Sequence, residues 1–113
     1  MSRQISDTVA VGTLPPPIDQ LPADYRRNIE QAVKLLKEGG CTEVYLFGSL
    51  AAGAPSAQSD IDLAVRGCSP QQFFALLGRL LMDLEHPVDL VDLDSDDPLA
   101  HFLIEKDRLR RIA

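Results

Sequence analysis

The chain has 113 residues, with 17 acidic and 11 basic side chains, a net charge of −6 and a sequence pI near 4.7. This charge balance argues against a broad surface for binding duplex nucleic acid. The length and a hydrophobic fraction of 45% are typical of one globular domain with one core. No apolar run approaches the roughly 18 residues that span a bilayer, and the N-terminus lacks the apolar stretch of a signal peptide. We therefore expect a cytoplasmic protein without a membrane segment.

The composition divides the chain into an N-terminal arm and one folded domain. Residues 1–20 include the run Pro15-Pro16-Pro17, which disfavours a helix and favours an extended conformation. The remaining residues, 21–113, alternate between apolar segments and turn signals, as one compact domain would. Cys41 and Cys68 fit no metal-ligand spacing and no disulfide framework, so we expect two reduced thiols.

Periodicity and turn residues predict alternating helices and strands after the arm. The predicted elements are a helix over 22–38, strands over 42–47 and 60–66, a helix from 70 to about 85, a strand over 88–93 and a helix from 98. Residues 109–112 form either a frayed helix end or a short last strand. On the helix from 70, the predicted buried side carries Phe73, Phe74, Leu77, Leu80, Leu81 and Leu84. We expect an α/β domain in which a short mixed sheet carries acidic residues on one face and packs helices on the other.

Two aspartates on the second predicted strand form a candidate metal site. Asp60 and Asp62 are two residues apart, and alternate residues of a strand share a face. Carboxylates that close together repel each other unless a cation lies between them. Mg²⁺ is the expected cation because it prefers hard oxygen ligands and is often held by one or two carboxylates together with substrate phosphates. Taken alone, an Asp-x-Asp pair is more often two solvated aspartates on an edge strand.

A Gly-Ser turn precedes this pair and makes a phosphate site plausible on chemical grounds. Gly48 follows the apolar run of the first strand, and a glycine lets the backbone turn sharply and approach a ligand closely. Ser49 is a suitable N-cap for a short helical segment over residues 50–52, whose N-terminal N–H groups would face an anion. A Gly-Ser turn alone is common, so the signal comes from its combination with Asp60 and Asp62.

The combined pattern resembles the minimal nucleotidyltransferases, small members of the DNA polymerase β-like nucleotidyltransferase superfamily. Their signature is a Gly-Ser after a strand and an Asp-x-Asp on the next strand, and the segment Ser59-Asp60-Ile61-Asp62-Leu63 matches its common SDIDL spelling. The resemblance covers roughly residues 25–91. It implies that Gly48 and Ser49 hold the phosphates of a nucleoside triphosphate, and that Asp60 and Asp62 hold magnesium, with two ions expected.

The family pattern also requires a third carboxylate on a later strand. Asp89 is the preferred candidate, as a metal ligand and as the group that orients or deprotonates the attacking hydroxyl. Strand parity places Asp92 on the opposite face, so Asp92 is the competing candidate.

The sequence departs from the family in one place: relatives often carry arginines after Gly-Ser, spelled GSRARG, where this chain has Leu50, Ala51 and Ala52. That loss reduces the charge-assisted contacts available to a triphosphate.

The resemblance implies transfer of a nucleoside monophosphate, AMP from ATP, to a hydroxyl. Minimal nucleotidyltransferases are often paired with a small helical HEPN protein in toxin–antitoxin modules, where the antitoxin adds AMP to a tyrosine of the toxin. Larger relatives carry a second domain that binds the acceptor, so we expect a partner protein or a second copy to supply that surface. The alternatives are a catalytically weak nucleotide- or metal-binding module and a structural domain in which the motif is coincidental.

Overall fold

The computed structural model describes Leu14, residues 18–52 and residues 60–113. A turn of 3-10 helix, Ile18–Gln20, precedes the following elements: α1 (Ala23–Glu38), β1 (Glu43–Phe47), α2 (Gly48–Ala51), β2 (Ile61–Arg66), α3 (Pro70–Asp83), β3 (Val88–Asp92), α4 (Pro98–Glu105) and β4 (Arg110–Arg111). The predicted order is confirmed, with ends that differ by one or two residues, and the C-terminal segment is a short strand. Gly53 and Ser59 lie outside the described residues, as does the Pro15-Pro16-Pro17 run.

The strands form a four-stranded mixed sheet in the order β3-β2-β1-β4. β1 is antiparallel to both β2 and β4, whereas β2 and β3 are parallel and are connected through α3. A parallel pair needs a crossover of this kind, whereas the antiparallel pair β1–β2 does not. The predicted α/β class with a mixed sheet is confirmed. Within the described residues, every helix is too short or too polar to span a bilayer.

One face of the sheet is covered by α1 and α3 and forms the main core. Ile61, Leu63 and Val65 of β2 point to this face and are fully buried. Ile29 and Leu36 of α1 are also fully buried against it, because apolar residues at helical spacing share one side of a helix. Leu14 and Ile18, from the segment predicted as an arm, are buried in the same cluster.

The opposite face carries a second, smaller apolar cluster. Its members are Phe47, Ala64, Val91, Leu93, Ala100 and Leu103. The last two belong to α4, which therefore packs on the face that also bears Asp62. We expected helices on one face only; the structure instead has α4 covering part of the other, because Val91 and Leu93 of the β3 region present apolar side chains there.

The predicted burial of α3 is partly wrong. Its N-terminus is as expected, since the Ser69 hydroxyl accepts a hydrogen bond from the Gln72 backbone N–H at 3.2 Å and a proline follows the cap. Phe73, Leu76 and Leu80 are buried, but Phe74 and Leu81 are 72% and 57% exposed. The helix is apolar around more than one side, so periodicity alone did not select the buried side.

The two cysteines form a disulfide, which corrects the prediction of reduced thiols. The Cys41 and Cys68 Cα atoms lie 4.5 Å apart, and the bond joins the residues just outside the paired ends of β1 and β2. Both residues are buried in the main core. The bond therefore closes the open end of the β1–β2 pair.

A buried asparagine connects α1 to the turn before β3. Asn28 is 3% exposed, and its side-chain carbonyl accepts hydrogen bonds from the backbone N–H groups of Glu85 at 2.8 Å and His86 at 3.2 Å. Its amide donates to the Asp24 backbone carbonyl and to the Glu85 carboxylate. The His86 ring stacks on Tyr25 with centroids 4.0 Å apart and contacts the Asp24 carboxylate through Nε2 at 2.7 Å. These contacts fix the point where the chain enters β3.

We expect Asn28→Ala to lower the free energy of unfolding by about 1–3 kcal/mol, because two backbone N–H groups lose their acceptor in a buried setting. Gln31→Ala, on an exposed position of the same helix, is the matched control and should change the value by less than about 0.5 kcal/mol. Urea denaturation measures both. If both substitutions lowered the free energy of unfolding by the same small amount, solvent would be replacing the lost acceptor.

Reduction of the disulfide is expected to lower the free energy of unfolding by about 3–4 kcal/mol, the chain-entropy value for a loop closed over a sequence separation of 27 residues. Thermal unfolding with and without dithiothreitol measures the effect. A Cys41→Ala/Cys68→Ala variant should unfold near the reduced protein and should not respond to the reductant. An unchanged melting temperature on reduction would contradict the expected contribution.

Candidate active site

The sheet register brings the predicted carboxylates together. Asp62 of β2 is the direct partner of Asp89 in the parallel pair with β3, so both side chains point to the same face. Asp60 lies two residues before Asp62, immediately ahead of β2, and its charge acts on the Asp62 carboxyl. Asp60 and Asp89 are exposed, whereas Asp62 is half-buried.

This arrangement changes the acidity of Asp62. Burial, and then the charges of Asp89 and Asp60, raise the pKa of the Asp62 carboxyl from its usual 3.8 to about 6. Each cause disfavours the ionised form, because the group leaves water and faces two like charges. A cation placed among these carboxylates would reverse the effect. A bound metal would therefore stabilise the ionised form of Asp62.

The turn between β1 and α2 lies directly against Asp62. Phe47, the last residue of β1, is the Cα partner of Asp62, and Gly48 follows with φ of 75°. A Cβ atom added to Gly48 would overlap the Asp62 carboxylate oxygen, so both the backbone conformation and the space require glycine. The Gly-Ser turn and the acid pair are thus one continuous surface.

The local role predicted for Ser49 is wrong. The helix α2 begins at Gly48 and its N-cap is Phe47, without a side-chain cap hydrogen bond, so Ser49 lies inside the first turn. The tight passage from strand to helix at Gly48 moves the helix start toward β1. Ser49 still lies beside Gly48 in the lining of a cavity.

Two cavities meet at Gly48. The larger one, of about 450 Å³, is lined by Gly48, Ser49, Ala51, Ala52, Asp107, Arg108, Leu109 and Arg110. A second, of about 360 Å³, is lined by Phe47, Gly48, Leu99, Phe102, Leu103 and Arg108. The first is bounded by the predicted phosphate turn and by basic residues from the C-terminal segment, and the second is mainly apolar. The sequence did not predict that these basic residues would lie beside the turn. The absence of arginines from the turn was the one feature that indicated a source of positive charge in another segment.

Asp92 lies away from the acid pair, as strand parity predicted. It is the partner of Val65, whose side chain points into the main core, and its carboxylate accepts a hydrogen bond from the Asp94 N–H at 2.9 Å. Asp94 in turn accepts from the Gly67 N–H at 2.8 Å and pairs with Arg66 at 3.2 Å. Asp97 caps α4 by accepting from the Leu99 N–H at 2.9 Å. These acids hold the loop between β3 and α4.

The donor set fits magnesium shared with a substrate. Among the described residues, no group of three acidic, histidine or cysteine side chains converges closely enough to hold a metal alone. Asp62 and Asp89 offer hard oxygens on one face, with Asp60 just ahead of β2, and Mg²⁺ commonly binds through one or two carboxylates with waters and phosphates completing its shell. Burial, and then the charges of Asp89 and Asp60, disfavour the ionised form of Asp62 and raise its pKa, and a cation at this position would offset these effects.

The comparisons with known proteins agree with this geometry. The sequence model of the family described as polymerase beta, nucleotidyltransferase matches residues 30–109, which include the turn and all three acids. The chain belongs to this nucleotidyltransferase family. None of the curated proteins matches it in sequence.

Solved structures give the same fold. One chain of a toxin–antitoxin structure with AMP-PNP is 26% identical in sequence to this chain and superposes with a TM-score of 0.59. The match covers 81% of this chain and 73% of that chain. A tri-AMPylated Shewanella oneidensis HEPN toxin in complex with its MNT antitoxin also contains a similar chain, 26% identical with a TM-score of 0.56, over 78% of this chain and 71% of that chain. The protein is a nucleotidyltransferase with the polymerase β-like fold.

The raised pKa of Asp62 predicts how this nucleotidyltransferase responds to pH. Because the folded state binds this proton more tightly than the unfolded chain, stability falls as the pH rises from about 4 to about 6 and the penalty persists above that range. In metal-free buffer, Asp62→Asn should therefore raise the melting temperature at pH 8 and leave it unchanged at pH 4. Asp96→Asn, at a fully exposed position, is the control and should change neither. A lower melting temperature for Asp62→Asn at pH 8 would contradict the raised pKa of Asp62.

Proposed function

We propose that this nucleotidyltransferase transfers AMP from ATP to a hydroxyl on a partner protein in a magnesium-dependent reaction. The observation that supports the proposal most directly is the register that sets Asp62 beside Asp89 and under the Gly48 turn. A bond forms between the acceptor oxygen and the α-phosphorus, the bond from that phosphorus to the bridging oxygen breaks, and pyrophosphate leaves. The proton of the hydroxyl passes to Asp89 or through it to solvent.

Each residue has a role that follows from its position. Asp60, Asp62 and Asp89 would hold two Mg²⁺ ions, which, when bound, neutralise charge on the phosphates and on the attacking oxygen. Gly48 and Ser49 bind the β- and γ-phosphates, since the glycine permits close approach of the backbone. Asp89 is exposed, so an acceptor hydroxyl can reach it from outside. Positioning and charge neutralisation supply most of the rate enhancement.

The proposed setting is a toxin–antitoxin pair in which this chain is the antitoxin. Two similar structures support it: one toxin–antitoxin structure contains AMP-PNP, and another contains an AMPylated HEPN toxin with its MNT antitoxin. The acceptor would then be a tyrosine hydroxyl of a small helical HEPN protein.

The second candidate is a binding module of low catalytic activity. One observation favours it: Leu50, at a turn position where relatives have an arginine, is fully buried in the main core, so this turn lacks that cation. The acids oppose it, because Asp62 and Asp89 share one face and Asp60 lies two residues before Asp62. Incubation with labelled ATP, Mg²⁺ and a HEPN partner separates the two, since only the enzyme transfers label to the partner.

Asp89→Asn is expected to reduce label transfer by at least about 100-fold, because the hydroxyl loses its base and a metal loses a ligand. Asp92→Asn should keep activity within about twofold, since its side chain lies on the other face, and it is the matched control. The measurement is the initial rate of label transfer from ATP at saturating Mg²⁺, with chelation of the metal as a second control. A loss of activity in Asp92→Asn with retention in Asp89→Asn would transfer the role to Asp92.

A further inference from the structure

The backbone that follows α4 fixes the position of Arg108. The chain leaves the helix through Asp107, a non-glycine residue with φ of 53°. The Arg108 N–H donates to the Leu103 carbonyl at 3.0 Å, and the Asp107 N–H donates to the Ile104 carbonyl at 3.2 Å. These are the two hydrogen bonds that close a helix C-terminus through a left-handed residue. Arg108 is therefore held at a defined place rather than on a loose tail.

That place is next to the Gly-Ser turn. Arg108 lines both of the cavities that meet at Gly48, and Arg110 lines the larger one together with Ser49. Both arginines are exposed, and within the described residues neither forms an ion pair. By contrast, Arg66 pairs with Glu43 and Asp94. Two available guanidinium groups thus border a cavity whose other lining residues are the turn, two alanines, Leu109 and one acidic residue, Asp107.

Charge explains why guanidinium groups are needed there. Asp60, Asp62 and Asp89 make the neighbouring surface strongly negative, and a triphosphate adds further negative charge. The turn cannot supply cations, since Leu50 is buried in the core and the neighbouring positions are alanines. Guanidinium groups bind phosphate oxygens through charge-assisted and bidentate hydrogen bonds. Arg108 and Arg110 stand on the other side of the same cavity and carry the required groups.

We propose that Arg108, assisted by Arg110, binds the β- and γ-phosphates of the nucleoside triphosphate and replaces the arginines that are missing from the turn. The proposal rests on the proposed function, because it assigns further residues to the same nucleotide site. Arg108 makes the larger contribution, since it lines both cavities and its backbone is fixed by hydrogen bonds. Arg110 is the register partner of Leu46, a main-core residue, so strand parity turns it away from the acid-bearing face and leaves it only a secondary contact with the larger cavity.

Calorimetric titration with Mg²⁺ and AMP-PNP, compared with titration by AMP, tests this role. Arg108→Gln is expected to weaken AMP-PNP binding about tenfold or more and to leave AMP binding within about twofold, because AMP lacks the β- and γ-phosphates. Arg110→Gln should give a smaller loss in the same direction. Arg108→Lys should recover part of the affinity, since it keeps the charge and loses the bidentate geometry.

Arg111→Gln is the matched control, because its Nε donates to the Ala113 carbonyl at 3.0 Å and it lines neither cavity. This variant should bind AMP-PNP like the parent chain, and all variants should melt within about two degrees of it. If the parent chain binds AMP-PNP and Arg108→Gln binds it equally well, the inference is overturned while the proposed function stands. If the parent chain binds no AMP-PNP, the proposed function fails first. An equal loss for AMP-PNP and AMP would also overturn the phosphate role.

Discussion

The pairing of Asp62 with Phe47 on one side and with Asp89 on the other is the constraint on which the site depends. β2 lies between β1 and β3, so each of its residues has a partner on both neighbours. The antiparallel partner places the Gly48 turn over the Asp62 carboxylate, and the parallel partner adds the third acid. A shift of one residue in either register would turn Asp62 toward the other face or separate it from these groups.

The sequence predicted the structure correctly where a single periodicity or residue spacing determined which face a side chain occupies. Alternation within the strands separated Asp62 and Asp89 from the core residues, and it placed Asp92 on the opposite face. The proximity of the Gly-Ser turn to the Asp-x-Asp pair was implied by the family resemblance, and it depends on the pairing of Phe47 with Asp62. The mixed sheet was inferred from the family resemblance as much as from the pattern of strands, since strand order is not encoded in local periodicity.

The errors arose where the outcome depended on a contact between distant segments. Continuing the antiparallel pairing of Glu43 with Arg66 outward by two residues on each strand brings Cys41 opposite Cys68, a relation that spacing alone does not reveal. α3 is apolar on several sides, so only its docking on α1 and the sheet decides that Leu80 is buried and Leu81 exposed. The packing of α4 on the acid-bearing face likewise depends on the packing of Val91 and Leu93 with Leu103, which is distant in sequence.

The fold also explains where a phosphate-binding charge can and cannot be placed. α2 has only one turn, and it is held in place by burying Leu50 and Ala51 in the main core. An arginine at position 50 would have to leave that core, because a buried guanidinium without a partner carries a large desolvation cost. Ala52, an exposed position of the turn, carries no charge in this chain, so a cation for the phosphates would come from a neighbouring element. β4 and the turn before it are next to α2 along the edge of the sheet, and the hydrogen bonds that end α4 deliver Arg108 to the same cavity. The basic C-terminal segment thus brings to the cavity the positive charge that the buried turn lacks.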